Sequence, residues 1–317
     1  MSTDPAAAWD DPVWRETSDN RWQAGLRLQQ TWWRQTIAGQ PAGPATGQLG
    51  RLVGSMLPLD VSLDVNLMTP AARAAFHRAK SDSKGRPGMI QEDRLRRNAL
   101  SSQPLCFNLF GHLASDPASI LPWIREIDDQ ASIVDDIRIE WAPSTGTFSG
   151  SAFDAFVEYT TGTGERGFVG VECKYHEDLK ATLRKPAAQK FLEHTSSQWW
   201  RPDAASHLDK NGLRQLWFNQ LLTQATIEIE AYDRAFGVVV ACDEDQAARV
   251  ATAKVQEQLV DTAGLSFHSI QSIVEAVDGH DDWRRTFSER YTDFSPISGL
   301  LPQNDPRRPA TSKSSRG

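Results

Sequence analysis

A chain of 317 residues, 39% hydrophobic and 24% charged, has the size and balance of one large or two small globular domains. It holds no apolar run of membrane-spanning length, and the acidic start MSTDPAAAWDDP has no hydrophobic core, which excludes a secretory signal. A net charge of −7 argues against a sequence-blind coat wrapped around nucleic acid, and three scattered cysteines (Cys106, Cys173, Cys242) point to a reducing cytoplasm without a disulfide frame or zinc site.

In chain order, residues 1–12 are expected to be disordered. Residues 13–37 read as a helix with Trp14, Trp22, Leu26, Trp33 and Ile37 along one stripe. AGQPAGPATG, 38–47, reads as a linker by its proline and glycine content, which would let that helix act as a lid or arm. Residues 48–301 form the expected main domain and 302–317 a disordered tail. Pro70 opens a short helix near its first position. QEDRLRR then carries Glu92, Arg94, Arg96 and Arg97, ahead of the segment SSQPLCFNLFG. The arginines are either phosphate contacts, for which their forked donors are suited, or a solvated face. VDDIRIEW, 134–141, alternates as a first core strand.

Residues 151–176, SAFDAFVEYTTGTGERGFVGVECKYH, read as a hairpin. Gly162–Gly167 fits G-x-G-x-x-G letter for letter, but a strand comes after it where the dinucleotide fingerprint needs a helix, so it reads as a turn. With the turn centred on Gly164, Asp154 lies opposite Lys174, and Asp154, Glu172 and Lys174 share one patch. A slip of one residue would split them across the sheet. Two carboxylates beside an ammonium form a hard-cation site suited to Mg²⁺ or Mn²⁺. The bland alternative is a charge-paired sheet face. The apolar run around Glu172 and Lys174 weighs against it, because buried charges need partners or a job.

After the hairpin the chain is locally basic, with Lys180, Arg184, Lys185 and Lys190 facing phosphate or solvent. Residues 213–231 make the strongest helix, with Leu216, Trp217, Leu221 and Leu222 on its core stripe and Gln215, Asn219, Gln220 and Gln224 off it. RAFGVVVACD reads as a strand covered on both faces, and the β-α-β order of 236–270 as a parallel crossover.

Asp154 followed by Glu172-Cys173-Lys174 resembles the PD-(D/E)xK nuclease signature, although Phe153 stands where the older form of the motif has proline. A bacterial, genome-defined family of such nucleases carries a very similar Ser-Ser-Gln…Phe-Asn-x-Phe segment, and the likeness runs from about Leu67 to Ile297. The resemblance implies a restriction-endonuclease-like α/β fold with an αβββαβ core, a mixed sheet flanked by helices and, here, an N-terminal helical extension. It implies Asp154, Glu172 and the Cys173 carbonyl as metal ligands, Glu92 as a further metal-facing acid, Lys174 as the catalytic amine and Gln220 as a flanking residue. Arg94, Arg97, Lys180, Arg184 and Lys185 would face the nucleic acid. The implied activity is Mg²⁺-dependent phosphodiester hydrolysis, with DNA as substrate, whereas the residues themselves imply only phosphate and leave RNA open. Two alternatives remain open: a catalytically silent nucleic-acid or protein binding module on the same fold, and a metal hydrolase of a phosphorylated small molecule. The residues leave oligomeric state open.

Overall fold

The computed structural model describes residues 14, 16–82, 90–143, 151–177, 189–195, 197–210, 212–301 and 303–308. Residues 1–12 and the basic stretch with Lys180, Arg184 and Lys185 lie outside them. The principal elements are α1 (Arg21–Trp32), β1 (Gly43–Ala45), β2 (Gln48–Val53), α2 (Pro70–Asp82), α3 (Glu92–Arg97), α4 (Ser102–Cys106), β3 (Ala131–Trp141), β4 (Phe153–Thr161), β5 (Arg166–Cys173), α5 (Arg214–Ile229), β6 (Arg234–Ala241), α6 (Gln246–Gln256), β7 (Leu265–Ser269) and α7 (Asp281–Tyr291). They fall into two compact units. One is Met1–Val61 with Arg97–Leu100 and Asp282–Gly317, and the other is Ser62–Arg96 with Ser101–Asp281.

In the first unit, α1 starts later than its apolar stripe suggests, because Asn20 and Gln23 close a reciprocal cap, each side chain accepting from the other's amide at 3.0 Å. The helix is not a free arm. Gln29 and Gln30 are fully buried, donating to the main-chain oxygens of Glu289 (2.8 Å), Asp293 (3.0 Å) and Arg290 (3.0 Å). Polar residues can sit inside when each finds a carbonyl. The supposed linker contains β1, paired antiparallel with β2, and a Cβ on Gly43 would stand 1.9 Å from the Leu57 oxygen. Composition also misreads 303–308 as loose tail. Arg307 is buried, paired with Asp305 at 2.8 Å and donating to the Trp22 oxygen at 2.8 Å.

The second unit is built on a five-stranded sheet in the order β3-β4-β5-β6-β7. The first three strands form an antiparallel meander, and β6 and β7 add in parallel, with α6 crossing between them. With helices before and after the meander, this is the mixed α/β arrangement that the resemblance implies. The β4–β5 turn closes across Thr161–Glu165, with Gly164 at φ +89, so the glycine-rich run is a hairpin turn. β5 is the central strand, buried from Gly167 to Cys173. On one of its faces Phe156, Phe168 and Val239 join Trp217, Leu221 and Leu222 of α5 in one apolar cluster. That packing lays α5 over the sheet face that carries Asp154 and Glu172.

Candidate active site

The hairpin register pairs Ala155 with Val171 and Phe156 with Gly170. Continued by one residue, it sets Asp154 opposite Glu172, not opposite Lys174. The difference is a slip of two, because the turn centres on Thr163. A two-residue slip keeps every side chain on its expected face, so the acids still meet. Lys174 lies just past the strand's end and stays in line because its amide donates to the Val240 oxygen of β6 at 2.7 Å.

Glu172 and Lys174 are 4% and 3% exposed, an ion pair that only a dense set of partners can keep charged. Lys174 Nζ donates to Glu172 Oε1 at 2.5 Å and to Gln215 Oε1 at 2.7 Å. Gln215 Nε2 donates to the same Glu172 oxygen at 2.5 Å, and the Asn219 carboxamide donates to Glu172 Oε2. Gln215 and Asn219 lie four residues apart on α5, so one helix face clamps both oxygens of Glu172. Burial opposes the charge on Lys174, but Glu172, Glu177 and Asp154 outweigh it and hold its pKa above the usual value. The amine is therefore a permanent ammonium near neutral pH.

Asp154 is in the opposite condition. Its carboxylate accepts one hydrogen bond among the described residues, from the Cys173 amide at 2.7 Å. Burial first, then the negative charges of Glu172 and Glu140, push its pKa well above the ordinary carboxylate value. Glu140, near the end of β3, is pushed up to about 7, by burial and then by Glu172 against the pull of Gln103 and Arg94. It adopts φ +53, a left-handed conformation that non-glycine residues rarely take and that collects at functional sites. Gln103 Nε2 holds it at 2.5 Å. Glu177 closes the group. The amides of Ser102 (3.0 Å), Tyr175 (2.9 Å) and His176 (3.1 Å) and the Arg94 guanidinium (3.2 Å) all donate to it. Burial works against its charge, yet Lys174 and these donors keep its pKa low.

A family model described as the PD-(D/E)XK nuclease superfamily matches residues 17–293. The chain belongs to the PD-(D/E)XK nuclease superfamily. No curated protein and no solved structure matches it. The three positions that the resemblance singles out fall in one patch: Glu172 and Lys174 are buried, Asp154 is partly buried, and Cys173 is fully buried. Among the described residues no three His, Cys, Asp or Glu side chains are arranged to hold one metal ion. The Asp154 and Glu172 carboxylates are oxygen donors of the kind that suits Mg²⁺ or Mn²⁺, and the resemblance would add the Cys173 carbonyl. The mutual repulsion of Asp154, Glu140 and Glu172 is what a bound cation would relieve, so the residues fit a divalent metal.

Other sequence expectations are corrected. Glu92 is half exposed and pairs with Lys80 at 2.5 Å. Arg97 is 3% exposed and donates to the Pro44 oxygen at 3.1 Å, so it braces main chain instead of facing phosphate. Arg94 does reach the group, through Glu177. Gln220 is buried and donates to the Gly264 oxygen at 3.0 Å, where it packs β6 and β7 rather than the site. Sequence reasoning missed Glu140, Gln103 and Glu177, and passed over Gln215 and Asn219. The i,i+4 spacing of those two on the polar side of α5 was the available signal. For Glu140 there was none beyond its place at the end of the first core strand.

Proposed function

We propose that this chain is a Mg²⁺- or Mn²⁺-dependent nuclease that hydrolyses phosphodiester bonds in DNA. The observation that carries the reading is the union of a partly buried Asp154 with a buried Glu172 and a charged, buried Lys174 in one patch. Asp154, Glu172 and the Cys173 carbonyl would hold the cation. When bound, the metal supplies Lewis-acid neutralisation of the phosphate and a more acidic water. Lys174, kept protonated by its acidic neighbours, serves as a donor. It orients the attacking water and stabilises the charge that develops on the phosphate oxygens; it does not act as a general base. Gln215 and Asn219 donate to the two oxygens of Glu172 from one face of α5 and fix the orientation of its carboxylate. Gln103 and Arg94 hold Glu140 and Glu177 at the margin of the same patch.

The test is hydrolysis of linear, circular and single-stranded DNA by the purified chain with Mg²⁺, Mn²⁺ or EDTA, beside Lys174→Ala. The expected result is metal-dependent cutting that falls about 100- to 1,000-fold in the variant, the cost of losing one preorganised donor. Cutting that survives both EDTA and the substitution would overturn the reading.

A further inference from the structure

We propose that the cavity along the outer edge of β3 receives an unstacked nucleobase beside the scissile phosphate, so that the preferred substrate carries unpaired nucleotides at the cut. The inference rests on the nuclease reading above and narrows its substrate class to single strands, tails and frayed ends.

The cavity measures about 680 Å³, within the range of small-molecule pockets and ample for a base with its sugar. It begins where the acidic group ends. Glu140 lines it, and the same side chain is held by Gln103 and repelled by Glu172. One wall is the small-residue side of α2, with Ala71, Ala74 and Ala75. The other is the edge strand, with Ile137 and Ile139. Two apolar walls leave room between them for a ring of nucleobase size.

A tilted aromatic pair topped by a guanidinium stands at the Glu140 end. Trp141 packs on Phe156 with ring centroids 4.0 Å apart, and the Arg138 guanidinium lies 5.3 Å from the Trp141 centroid. Guanidinium planes and aromatic rings are the surfaces on which unpaired bases stack. The charges of the lining then choose which part of a nucleotide enters. Arg138 is engaged by Asp136 at 2.9 Å and Glu158 at 2.6 Å, and Arg78 by Asp136 at 2.6 Å. Asp82, Glu140 and Glu230 add negative charge. A phosphate would be repelled from such a lining. A neutral base, which both donates and accepts, finds guanidinium donors and carboxylate acceptors there. A base inside a duplex is stacked and paired and must leave the helix to enter.

The experiment compares DNAs of equal sequence: a dumbbell closed at both ends, the same duplex with a single-stranded tail, and a single strand. Each is incubated with the full chain and Mn²⁺. Hydrolysis of bis(p-nitrophenyl) phosphate, which has no base, is measured in parallel. Ala74→Leu fills the slot from an exposed helix position away from the acids, and its thermal midpoint checks folding. Quenching of a tail 2-aminopurine in EDTA reads occupancy without turnover. The expected result is tailed and single-stranded DNA cut at least about tenfold faster than the dumbbell. Ala74→Leu should erase that preference and the quenching while leaving bis(p-nitrophenyl) phosphate hydrolysis unchanged; tenfold corresponds to about one hydrogen bond's worth of selectivity. Equal cutting of all three DNAs, or quenching that Ala74→Leu leaves intact, would overturn the slot alone. Quenching with no hydrolysis of any substrate would sink the nuclease reading and keep the slot. Protection of β3 amides by an added strand peptide, without quenching by DNA, would overturn the proposal in favour of a peptide groove.

Discussion

Two aspartates in the same unit, Asp128 buried and Asp154 partly so, show how differently one sheet can treat a carboxylate. Asp128, just before β3, has a side chain 1% exposed and every need met. Arg234 approaches it with Nε at 2.5 Å and Nη2 at 2.8 Å, Tyr159 donates at 2.5 Å, and the Gln130 amide donates at 3.1 Å. Burial alone would raise its pKa, but Arg234 and Tyr159 carry it below the ordinary value. Asp154 receives one amide and faces two like charges, and its pKa goes up. The first aspartate is saturated and holds β3, β4 and β6 together. The second is left short of positive charge, which is the condition of a group that waits for a ligand.

The largest expected effect separates the two by exchanging stability for activity. Asp154→Asn should lower DNA hydrolysis about 1,000-fold or more, yet raise the unfolding temperature of the metal-free protein at pH 8, because it removes a repelled charge. Asp128→Asn should do the reverse. It should lose about 2–3 kcal/mol of stability, less than a fully buried pair would, since Arg234 is about one-third exposed, and keep its turnover per folded molecule. Thermal unfolding beside steady-state cleavage checks both. A stability loss in Asp154→Asn equal to that in Asp128→Asn would erase the contrast.

The pH dependence should come next. A carboxyl whose folded pKa is raised binds its proton more tightly when folded. Its contribution to stability is complete below about 4.5 and is lost as pH rises through about 7 for Glu140. Asp154 acts in the same direction. Asp128, held low, contributes above the unfolded carboxylate value and loses that contribution as pH falls through its folded value. The metal-free protein should therefore lose thermal stability between pH 5 and about 7, and Mg²⁺ or Glu140→Gln should flatten the slope. A midpoint flat over that window in EDTA would show that the acids do not repel.

The smallest effect tests the α5 face. Gln215→Ala or Asn219→Ala should cost about tenfold in cleavage, one lost hydrogen bond to a charged group. Gln220→Ala should cost about 1 kcal/mol of stability and leave cleavage unchanged. A cleavage defect in Gln220→Ala matching that of Gln215→Ala would put the clamp elsewhere on the helix.

The sheet was legible because VDDIRIEW alternates and RAFGVVVACD is a continuous apolar run, and the 162–167 glycines were legible as a turn because the Phe168 strand comes directly after them. Patch membership was legible for Asp154, Glu172 and Lys174, since any even slip of register preserves a face. Register itself was not, because Thr163 and Gly164 are both plausible turn centres. Glu140 was hidden because its approach depends on one residue leaving the extended conformation at φ +53, which nothing in VDDIRIEW marks. Gln220 misled because a helix wheel separates polar from apolar sides but cannot tell a side chain over the acids from one wedged at Gly264. Arg97 misled in the same way, as a charge that ends on a buried carbonyl.

The amide of Lys174 is secured by Val240, and its ammonium and Glu172 by Gln215 and Asn219, all of which come from chain made well after the hairpin. A ribosome that has released residues up to 177 has therefore delivered every letter of the motif without the Gln215, Asn219 and Val240 fastenings. The proposed active site is completed only once α5 and β6 emerge and dock, so a translation product truncated in between should be inert.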